Sequence, residues 1–324
     1  MHDTQPLNGQ NQKVQYPAHP PALSDTVAGY IHAAIADRTR QAYQEDLQRF
    51  INWSGQIPSS AEQIAAYLAV HGETHAPATL GRWVVSLGKA HTTLGLENPC
   101  TSALVRTTLR GIRRQRGTAQ RRVAPTGRDD LIAMVRAMGN TPRDFRDRAL
   151  LLIGFAGALR RSELVALTTA DTIFSAAGLT LTIRRSKTDQ EGHGRLIGIP
   201  YGRGAICPVQ ALQDWLTLSI DPADPEARTA PIFRPINKHG QITDQVLSGH
   251  AVAKIVKQRC AAAGLSPEHY SGHSLRAGFC TAAALNGAPS WQIRKISGHK
   301  TNAMLERYIR DARLFHDNPL QGLF

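Results

Sequence analysis

The feature that most constrains this chain is a segment rich in arginine that also carries a regular apolar stripe. Residues 101–122 hold seven arginines and no acidic residue. Within them, Val105, Leu109 and Ile112 recur at helical spacing. A neighbouring face of the same helix would carry Arg106, Arg110 and Arg113. Because a solvated helix usually interleaves charges of both signs, we predict a helix over 104–116 that packs on one side and contacts phosphate on the other.

The chain before this segment is also predicted to be helical. Apolar residues recur at helical spacing around Phe50, around Tyr67 and over 79–96, and no β-rich run interrupts them. Residues 23–117 are therefore expected to form a small helical domain. Residues 1–22 are polar and rich in proline, without the apolar centre of a signal peptide. We expect them to form a disordered tail of an intracellular protein.

The second half is predicted to be mainly helical with one β-hairpin. Residues 178–183 alternate as a strand does, a turn follows over 189–194, and 195–199 form a second strand. Residues 118–127 contain proline and glycine and are expected to link the two halves. The chain has no Walker-type loop and no dinucleotide fingerprint, which disfavours ATP- and NAD-dependent chemistry. The expected fold class is mainly α with a small β-sheet.

The net charge indicates a polyanionic partner. The 38 lysines and arginines exceed the 25 acidic residues, giving a formal charge of +13 and an isoelectric point near 10.1. Four scattered cysteines form no CxxC pair, and there is no HExxH motif, so we expect neither a metal site nor a disulfide framework. No stretch approaches the ~18 consecutive apolar residues of a membrane helix.

Two copies of a short Ser-Gly-His phrase point to a phosphate site. They place His273 and His299 directly after a glycine, each at a predicted helix start. Helix N-termini present free N–H groups and a positive dipole end, which suit phosphate. Arg276 follows His273 by three residues and can therefore face the same target. Tyr308 follows His299 by nine residues.

The order and spacing of these residues resemble the tyrosine recombinase, or phage integrase, family. The residues that carry the resemblance are Arg160, Glu163, Lys187, His273, Arg276, His299 and Tyr308. The resemblance covers about residues 23–312 and implies a helical, SAM-like core-binding domain over 23–117, a linker over 118–127 and an α+β catalytic domain over 128–313. The two domains would form a C-shaped clamp on DNA. Residues 314–324 would form a tail that packs on a neighbouring protomer of a homotetramer on two DNA sites; the alternative is that the tail packs in cis, on its own protomer.

The resemblance also implies how the chemistry is divided. Tyr308 would attack a DNA phosphodiester and form a 3′-phosphotyrosyl bond, which divides one difficult displacement into two easier steps. A phenol keeps its proton at neutral pH, so a proton acceptor is needed, and His273 is the candidate. Lys187, in the predicted hairpin, would protonate the leaving 5′-oxygen. The alternative for Lys187 is an exposed lysine of the turn.

The remaining residues would bind the phosphate. Arg160 and Arg276 would clamp its non-bridging oxygens, because a guanidinium group is planar, permanently charged and bidentate. Arg161 is an alternative clamp, although its place one residue later should direct it elsewhere. His299 would donate a further hydrogen bond. Glu163 would support the site, unless it forms only a surface ion pair with Arg160; no metal or other cofactor is required.

Further DNA contacts are predicted from charge and position. The expected phosphate contacts are Arg106, Arg110, Arg113, Arg114, Arg116, Arg184 and Arg185. Such contacts position a protein on DNA without specifying sequence. The candidate base readers are Gln41, Gln44 and Gln48, which are spaced along one predicted helix. His193, in the turn of the hairpin, is expected to face solvent.

The expected function is site-specific recombination through a Holliday junction. The outcome would be integration, excision or resolution of DNA, or the movement of a mobile element. The expected partners are double-stranded DNA, further copies of the chain and accessory DNA-bending or directionality proteins, and not a membrane. The protein would then lie in the cytoplasm, with the nucleoid. Two alternatives stay open: a type IB topoisomerase, which needs no second DNA site, and a DNA-binding protein without catalytic activity.

Overall fold

The structure is a computed structural model that describes residues 33–117, 124–184 and 194–312, together with Tyr30, Leu320 and Leu323. The chain divides into two compact units, Met1–Gln120 and Arg121–Phe324. Each unit has its own apolar core.

The described part of the first unit is helical. Its α-helices are α1 (Asp37–Asn52), α2 (Ala61–His71), α3 (Pro77–Thr93) and α4 (Ala103–Arg116). The side chains of Ser60 and Ser102 accept hydrogen bonds from the first turns of α2 and α4, as helix-capping serines do. Phe50, Tyr67 and Trp83 form the centre of the core and exclude water from the helix contacts. The helical character predicted for this half is confirmed.

Helix α4 has the two faces that its sequence predicts. Val105 and Leu109 are buried in the core of the unit, and Ile112 is partly buried against it. The predicted phosphate contacts Arg106, Arg110, Arg113, Arg114 and Arg116 are all exposed. Arg116 donates a hydrogen bond to the backbone carbonyl of Glu73. The helix is therefore packed through one stripe and cationic over the rest of its surface.

The second unit combines helices with one small antiparallel sheet. The elements in chain order are α5 (Arg128–Arg136), α6 (Pro142–Ala156), α7 (Arg161–Val165), β1 (Thr172–Ser175), β2 (Gly178–Ile183), β3 (Arg195–Pro200), α8 (Pro208–Ser219), α9 (Gly249–Ala262), α10 (Ser274–Leu285), α11 (Ser290–Ser297) and α12 (Asn302–Ala312). The predicted class, mainly α with a small sheet, is confirmed.

The sheet has the strand order β1-β2-β3 and brings distant segments together. Strands β2 and β3 form the predicted hairpin, with Leu181 opposite Ile197 and Ile183 opposite Arg195. Strand β1 was not predicted, because four residues are too short to show an alternating pattern. The inward residues of the hairpin are buried, so the sheet is fixed on the core and holds Arg195 at a defined place.

Two further observations concern the described residues as a set. None of their helices is both long enough and apolar enough to cross a membrane. The four cysteines are free and buried.

Candidate active site

Tyr308 and His273 meet at the centre of the site. Tyr308 lies on α12, which packs against α10, and His273 is the residue directly before α10. The Nε2 atom of His273 is 2.9 Å from the hydroxyl oxygen of Tyr308. The backbone N–H of His273 donates to the hydroxyl of Ser271 at 3.1 Å, which fixes the turn that carries the imidazole. The predicted nucleophile and proton acceptor are thus within hydrogen-bond distance.

The surroundings of His273 favour its neutral form. Desolvation lowers the pKa of the imidazole, and the positive charges of Arg276, Arg161 and Arg160 lower it further. The residue as a whole is exposed to solvent. A neutral imidazole has a lone pair available, which is what a proton acceptor for a phenol requires.

Glu163 holds two arginines in a buried cluster. Arg160 donates through Nη1 to Oε1 at 2.6 Å, and its backbone N–H donates to Oε2 at 3.0 Å. Arg195 donates from Nη2 to Oε2 at 2.8 Å. Glu163 is only 3% exposed. The alternative of a surface ion pair with Arg160 is therefore wrong, because the carboxylate is buried and shared between two guanidinium groups.

The charge of Glu163 is maintained by these partners. Burial alone would raise the pKa of the carboxyl group, but the hydrogen bond and charge of Arg195 and the hydrogen bonds from Arg160 outweigh it and lower the pKa. A buried carboxylate with several charge-assisted hydrogen bonds is rigid. Both guanidinium groups therefore have defined positions.

Arg276 is buried beside this cluster, with 1% of its surface exposed. Its Nη1 group donates to the backbone carbonyls of Ala158, at 2.8 Å, and of Ser297. Its Nη2 group is buried and has no hydrogen-bond partner among the described residues. Burial and the charge of Arg160 lower its pKa to about 10, which leaves it charged at neutral pH. A buried cationic donor without a partner is costly, and an oxygen of a bound phosphate would satisfy it.

The backbone carbonyls at the end of α11 and just after it, in residues 296–300, accept hydrogen bonds from arginines. Those of Ile296, Ser297 and Gly298 accept hydrogen bonds from Arg195, Arg276 and Arg160, in that order. Arg294 donates to the next two carbonyls, those of His299 and Lys300, at 3.2 and 2.9 Å. A helix leaves its last carbonyls without partners and has a negative dipole end there. The end of α11 therefore both orients and stabilises the cations of the site. We call the carbonyls of residues 296–300 the carbonyl row.

Gly298 makes this arrangement possible. Its φ of 66° ends α11 in the left-handed conformation that glycine adopts readily. A Cβ atom at this position would lie 3.0 Å from Nη1 of Arg195. The predicted helix start at His299 is wrong, because this turn ends α11 and α12 begins only at Asn302.

His299 is buried, with 7% exposure, next to Tyr308. The centroids of the two rings are 5.7 Å apart. Burial lowers the pKa of His299 to about 3, with the charges of Arg276 and Arg160 acting in the same direction. Its Nδ1 atom is 2.8 Å from the hydroxyl of Ser297. His299 is therefore a neutral imidazole with one ring nitrogen already engaged.

Arg161 lies nearer to the site than its place in the sequence suggested. Its methylene groups occupy the space beside Gly272, where a Cβ atom would be 2.5 Å from Cδ of Arg161. Its charge is close enough to His273 to lower the pKa of that imidazole. The stem of Arg161 therefore lies beside the turn that carries His273, while the residue as a whole is exposed.

The hairpin connection that carries Lys187 lies outside the described residues, as do Arg185 and His193. The flanking strand ends are described: Ile183 pairs with Arg195, whose guanidinium group contacts Glu163. The connection thus starts and ends beside the arginine cluster. Arg184, a predicted phosphate contact, forms an ion pair of 2.6 Å with the buried Asp171. Its guanidinium group is therefore already paired within the chain.

The candidate base readers are placed on the surface of α1. Gln41, Gln44 and Gln48 are all exposed. The side-chain amides of Gln41 and Gln48 donate to Glu45 and Asn52 on the same helix, at 3.0 and 2.9 Å. Contact with a base would require these two amides to exchange those partners.

The sequence interpretation missed two residues of the site. The sequence places Arg195 in a strand, directly after the hairpin turn, and gives no signal for its contact with Glu163. Ser297 belongs to the repeated Ser-Gly-His phrase, which draws attention to the histidine and not to the serine. In the described parts of the chain, no group of three or more His, Cys, Asp or Glu side chains is arranged to hold a metal ion.

Comparisons with known proteins identify relatives of this arrangement. The family model of the phage integrase family matches residues 126–314. An integrase/recombinase XerD homolog of Selenomonas ruminantium is 35% identical over 299 residues, which cover 89% of this chain and 86% of the relative. A tyrosine recombinase of Synechococcus elongatus is 29% identical over 299 residues, which cover 85% of each chain.

Solved structures show the same fold. XerH bound to its palindromic difH substrate in a post-cleavage complex has a TM-score of 0.59 at 16% identity, covering 87% of this chain and 78% of that one. A lambda integrase dimer bound to a COC′ core site has a TM-score of 0.58 at 17% identity, covering 88% and 94%. From the match over 126–314 and the relative at 35% identity, we conclude that this chain belongs to the phage integrase family of tyrosine recombinases.

Proposed function

We propose that this protein is a site-specific DNA recombinase that cuts and rejoins DNA through a 3′-phosphotyrosyl bond at Tyr308. The observation that carries the proposal is the 2.9 Å contact between the Tyr308 hydroxyl and Nε2 of His273, next to three arginines and one carboxylate. XerH and lambda integrase, whose folds are similar, are bound to DNA in their structures. Double-stranded DNA is accordingly the substrate that we assign to this site.

In the cleavage step, the phenolic oxygen of Tyr308 attacks the phosphorus atom and forms the new O–P bond. The phenolic proton passes to Nε2 of His273, whose neutral form is favoured by its surroundings. The bond between phosphorus and the 5′-oxygen breaks, and the departing oxygen takes up a proton. We assign that proton to Lys187, because the hairpin connection begins and ends beside the arginine cluster. Religation reverses these movements.

The arginines stabilise the negative charge that builds up on the phosphate. Arg276 offers its unpaired Nη2 group, and Arg160 lies beside it in the cluster around Glu163. Glu163 and the carbonyl row hold these cations in place within the chain itself, and charges fixed in this way need little reorganisation during a reaction. His299 adds a neutral donor next to Tyr308. The roles of metal ions and nucleotides are thereby taken by groups of the chain itself.

The grip on DNA is assigned to charges of both units. The exposed arginines of α4 have no ion-pair partner in the ranges that the structure describes, and apart from Arg116, which donates to the carbonyl of Glu73, we propose that they are available to phosphates. We propose that residues 23–117 and 128–313 close on the duplex as a C-shaped clamp. Binding of this kind releases counterions, so DNA affinity should fall steeply as the salt concentration rises.

Recombination requires two DNA sites, and we propose that four copies of the chain assemble on them. The tail over 314–324 would pack on the neighbouring protomer; Leu320 and Leu323 are exposed apolar side chains. The test removes residues 314–324 and measures both cleavage and strand exchange. We expect cleavage of a single site to be weakened less than synapsis, and intact strand exchange would contradict the proposed role of the tail.

The central experiment is covalent trapping without added metal. Wild-type protein and Tyr308→Phe are incubated with nicked suicide substrates that carry a randomised site, and covalently attached DNA is sequenced. We expect adducts from the wild type alone, together with salt-sensitive DNA binding by both proteins. Binding without any adduct would refute the enzymatic proposal. Adducts followed by relaxation of supercoiled DNA, but no exchange between two sites, would favour a topoisomerase.

A further inference from the structure

Ser297 occupies a position from which it contacts two phosphate-binding groups at once. It is the last residue of α11 and is fully buried. Its hydroxyl oxygen is 2.8 Å from Nδ1 of His299. Its backbone carbonyl accepts a hydrogen bond from Nη1 of Arg276. The carbonyl contact belongs to the main chain, but the hydroxyl contact depends on the side chain at this position.

We propose that Ser297 is a positioning residue: its hydroxyl donates to Nδ1 of His299, fixes the proton of that imidazole on Nε2, and so makes His299 a hydrogen-bond donor to the reacting phosphate. The effect of Ser297 on the reaction rests on the proposed function. It concerns the position of one proton, which can be measured without any reaction.

The argument begins with the single proton of a neutral imidazole. One ring nitrogen carries it and donates, and the other accepts. The buried position of His299 among Arg276, Arg160 and Arg195 disfavours a second proton. The residue can therefore be a donor or an acceptor towards the phosphate, but not both. The partner of Nδ1 decides between the two forms.

Only one of the two forms suits a phosphate. Non-bridging phosphate oxygens accept hydrogen bonds and do not donate them. With the proton on Nδ1, the lone pair of Nε2 would remain for the phosphate, and two acceptors would repel each other. With the proton on Nε2, the Ser297 hydroxyl donates to Nδ1 at 2.8 Å and the other nitrogen becomes a donor.

Cys280 also lies close to this hydroxyl, on α10, and its thiol is fully buried. Burial raises the pKa of the thiol to about 11, so the sulfur keeps its proton at neutral pH. A thiol sulfur is a weak acceptor. The lone pair of Nδ1 of His299, at 2.8 Å, is therefore the stronger acceptor for the Ser297 proton.

The test compares two variants of nearly equal shape. Ser297→Thr keeps a hydroxyl at this position, and Ser297→Val replaces it by a methyl group. In single-turnover cleavage of a suicide substrate by the full-length protein, we expect the threonine variant to stay close to the wild type. The valine variant should be slower by about 10²-fold, as when one preorganised donor is lost. DNA affinity should change little in either protein.

The second readout is the position of the proton itself. Nitrogen-15 spectra of the full-length protein, with His299 assigned by comparison with His299→Gln, distinguish the two neutral tautomers. We expect the Nε2–H form in the wild type and in Ser297→Thr, and loss of this preference in Ser297→Val. A wild-type His299 that carries its proton on Nδ1 would overturn the inference, whatever the cleavage rates are.

These two readouts also separate this inference from the proposed function. If the wild type forms no covalent adduct but His299 is in the Nε2–H form, the proposed function fails and the positioning role stands. If the wild type reacts and both Ser297 variants react equally fast, the positioning role fails. Ser297→Ala serves as a second variant if valine prevents folding, and the wild-type spectrum decides the tautomer in every case.

Discussion

Replacing Glu163 by glutamine should reveal how strongly the arginine cluster depends on one carboxylate. The side chain accepts hydrogen bonds from both Arg160 and Arg195, with the shortest at 2.6 and 2.8 Å. Glutamine keeps one acceptor oxygen and places an amide donor against the other guanidinium group. At least one charge-assisted hydrogen bond, worth about 1.5–3 kcal/mol, is therefore removed. The two cations also lose their counter-charge.

We expect the free energy of unfolding to fall by about 3 kcal/mol, the lower end of the cost of breaking a buried ion pair. Urea denaturation of the full-length chain measures this change. Glu268→Gln is the matched control, because Glu268 is exposed and makes only a 3.5 Å contact with His269. The control should alter the stability by less than about 0.5 kcal/mol. A similarly small effect of Glu163→Gln would refute the view that the carboxylate holds the cluster together.

The effect of Glu163→Gln on the free energy of unfolding should also depend on pH. The pKa of Glu163 is lowered in the folded protein. Its contribution to stability is therefore fully present above the pKa of an unfolded glutamate, about 4.3, and is lost as the pH falls through the lower folded value. The difference in the free energy of unfolding between wild type and Glu163→Gln should therefore stay constant from neutral pH down to about 4.3. It should shrink as the pH falls further, towards the lower folded pKa. A difference that grows in acid would contradict the assigned charge.

Three further predictions concern the reaction and DNA binding. Arg276→Lys should reduce the rate of adduct formation by about 10²–10³-fold, because an ammonium group cannot bind the two carbonyls and the phosphate with the same geometry. Single-turnover trapping measures this rate. A rate near that of the wild type would contradict the role of Arg276. Arg161→Gln should raise the pKa of His273, since a charge that lowers it is removed. The acid limb of the rate profile should then move to higher pH, and an unmoved limb would exclude a role for Arg161. Replacing both Arg106 and Arg110 by glutamine should weaken the salt dependence of DNA binding. The slope of log affinity against log salt concentration should become flatter by about 0.9 for each phosphate that is no longer neutralised. An unchanged slope would place these arginines away from DNA.

Much of the fold could be predicted because its signals are local. Helix α4 was expected over 104–116 and runs over Ala103–Arg116, since a serine cap and a one-sided apolar stripe mark it. The β2–β3 hairpin was expected for a similar reason, because its strands alternate on both sides of a turn. Helix α7 spans only Arg161–Val165 and was missed, because five residues show no period.

The sequence indicates candidate residues for the site but not the contacts between them. His273 and Tyr308 are 35 positions apart, and only the packing of α10 on α12 brings them to 2.9 Å. Glu163 was expected to have a supporting role, yet its second partner, Arg195, lies 32 positions away. Ser297 was harder to find, since a buried serine next to a glycine resembles an ordinary helix end. Such partners depend on tertiary packing, for which the spacing of residues gives no signal.

The carbonyl row affects how the enzyme meets its substrate. Arg160 and Arg276 donate hydrogen bonds to peptide oxygens at the end of α11. These oxygens surround the cations with acceptors, so the guanidinium groups are neither directed into solvent nor forced apart by their mutual repulsion. Under the proposed function, DNA binding would add phosphate oxygens to these backbone oxygens. The backbone of the protein therefore supplies oxygen acceptors of the same kind as those of the phosphate that we propose as its ligand.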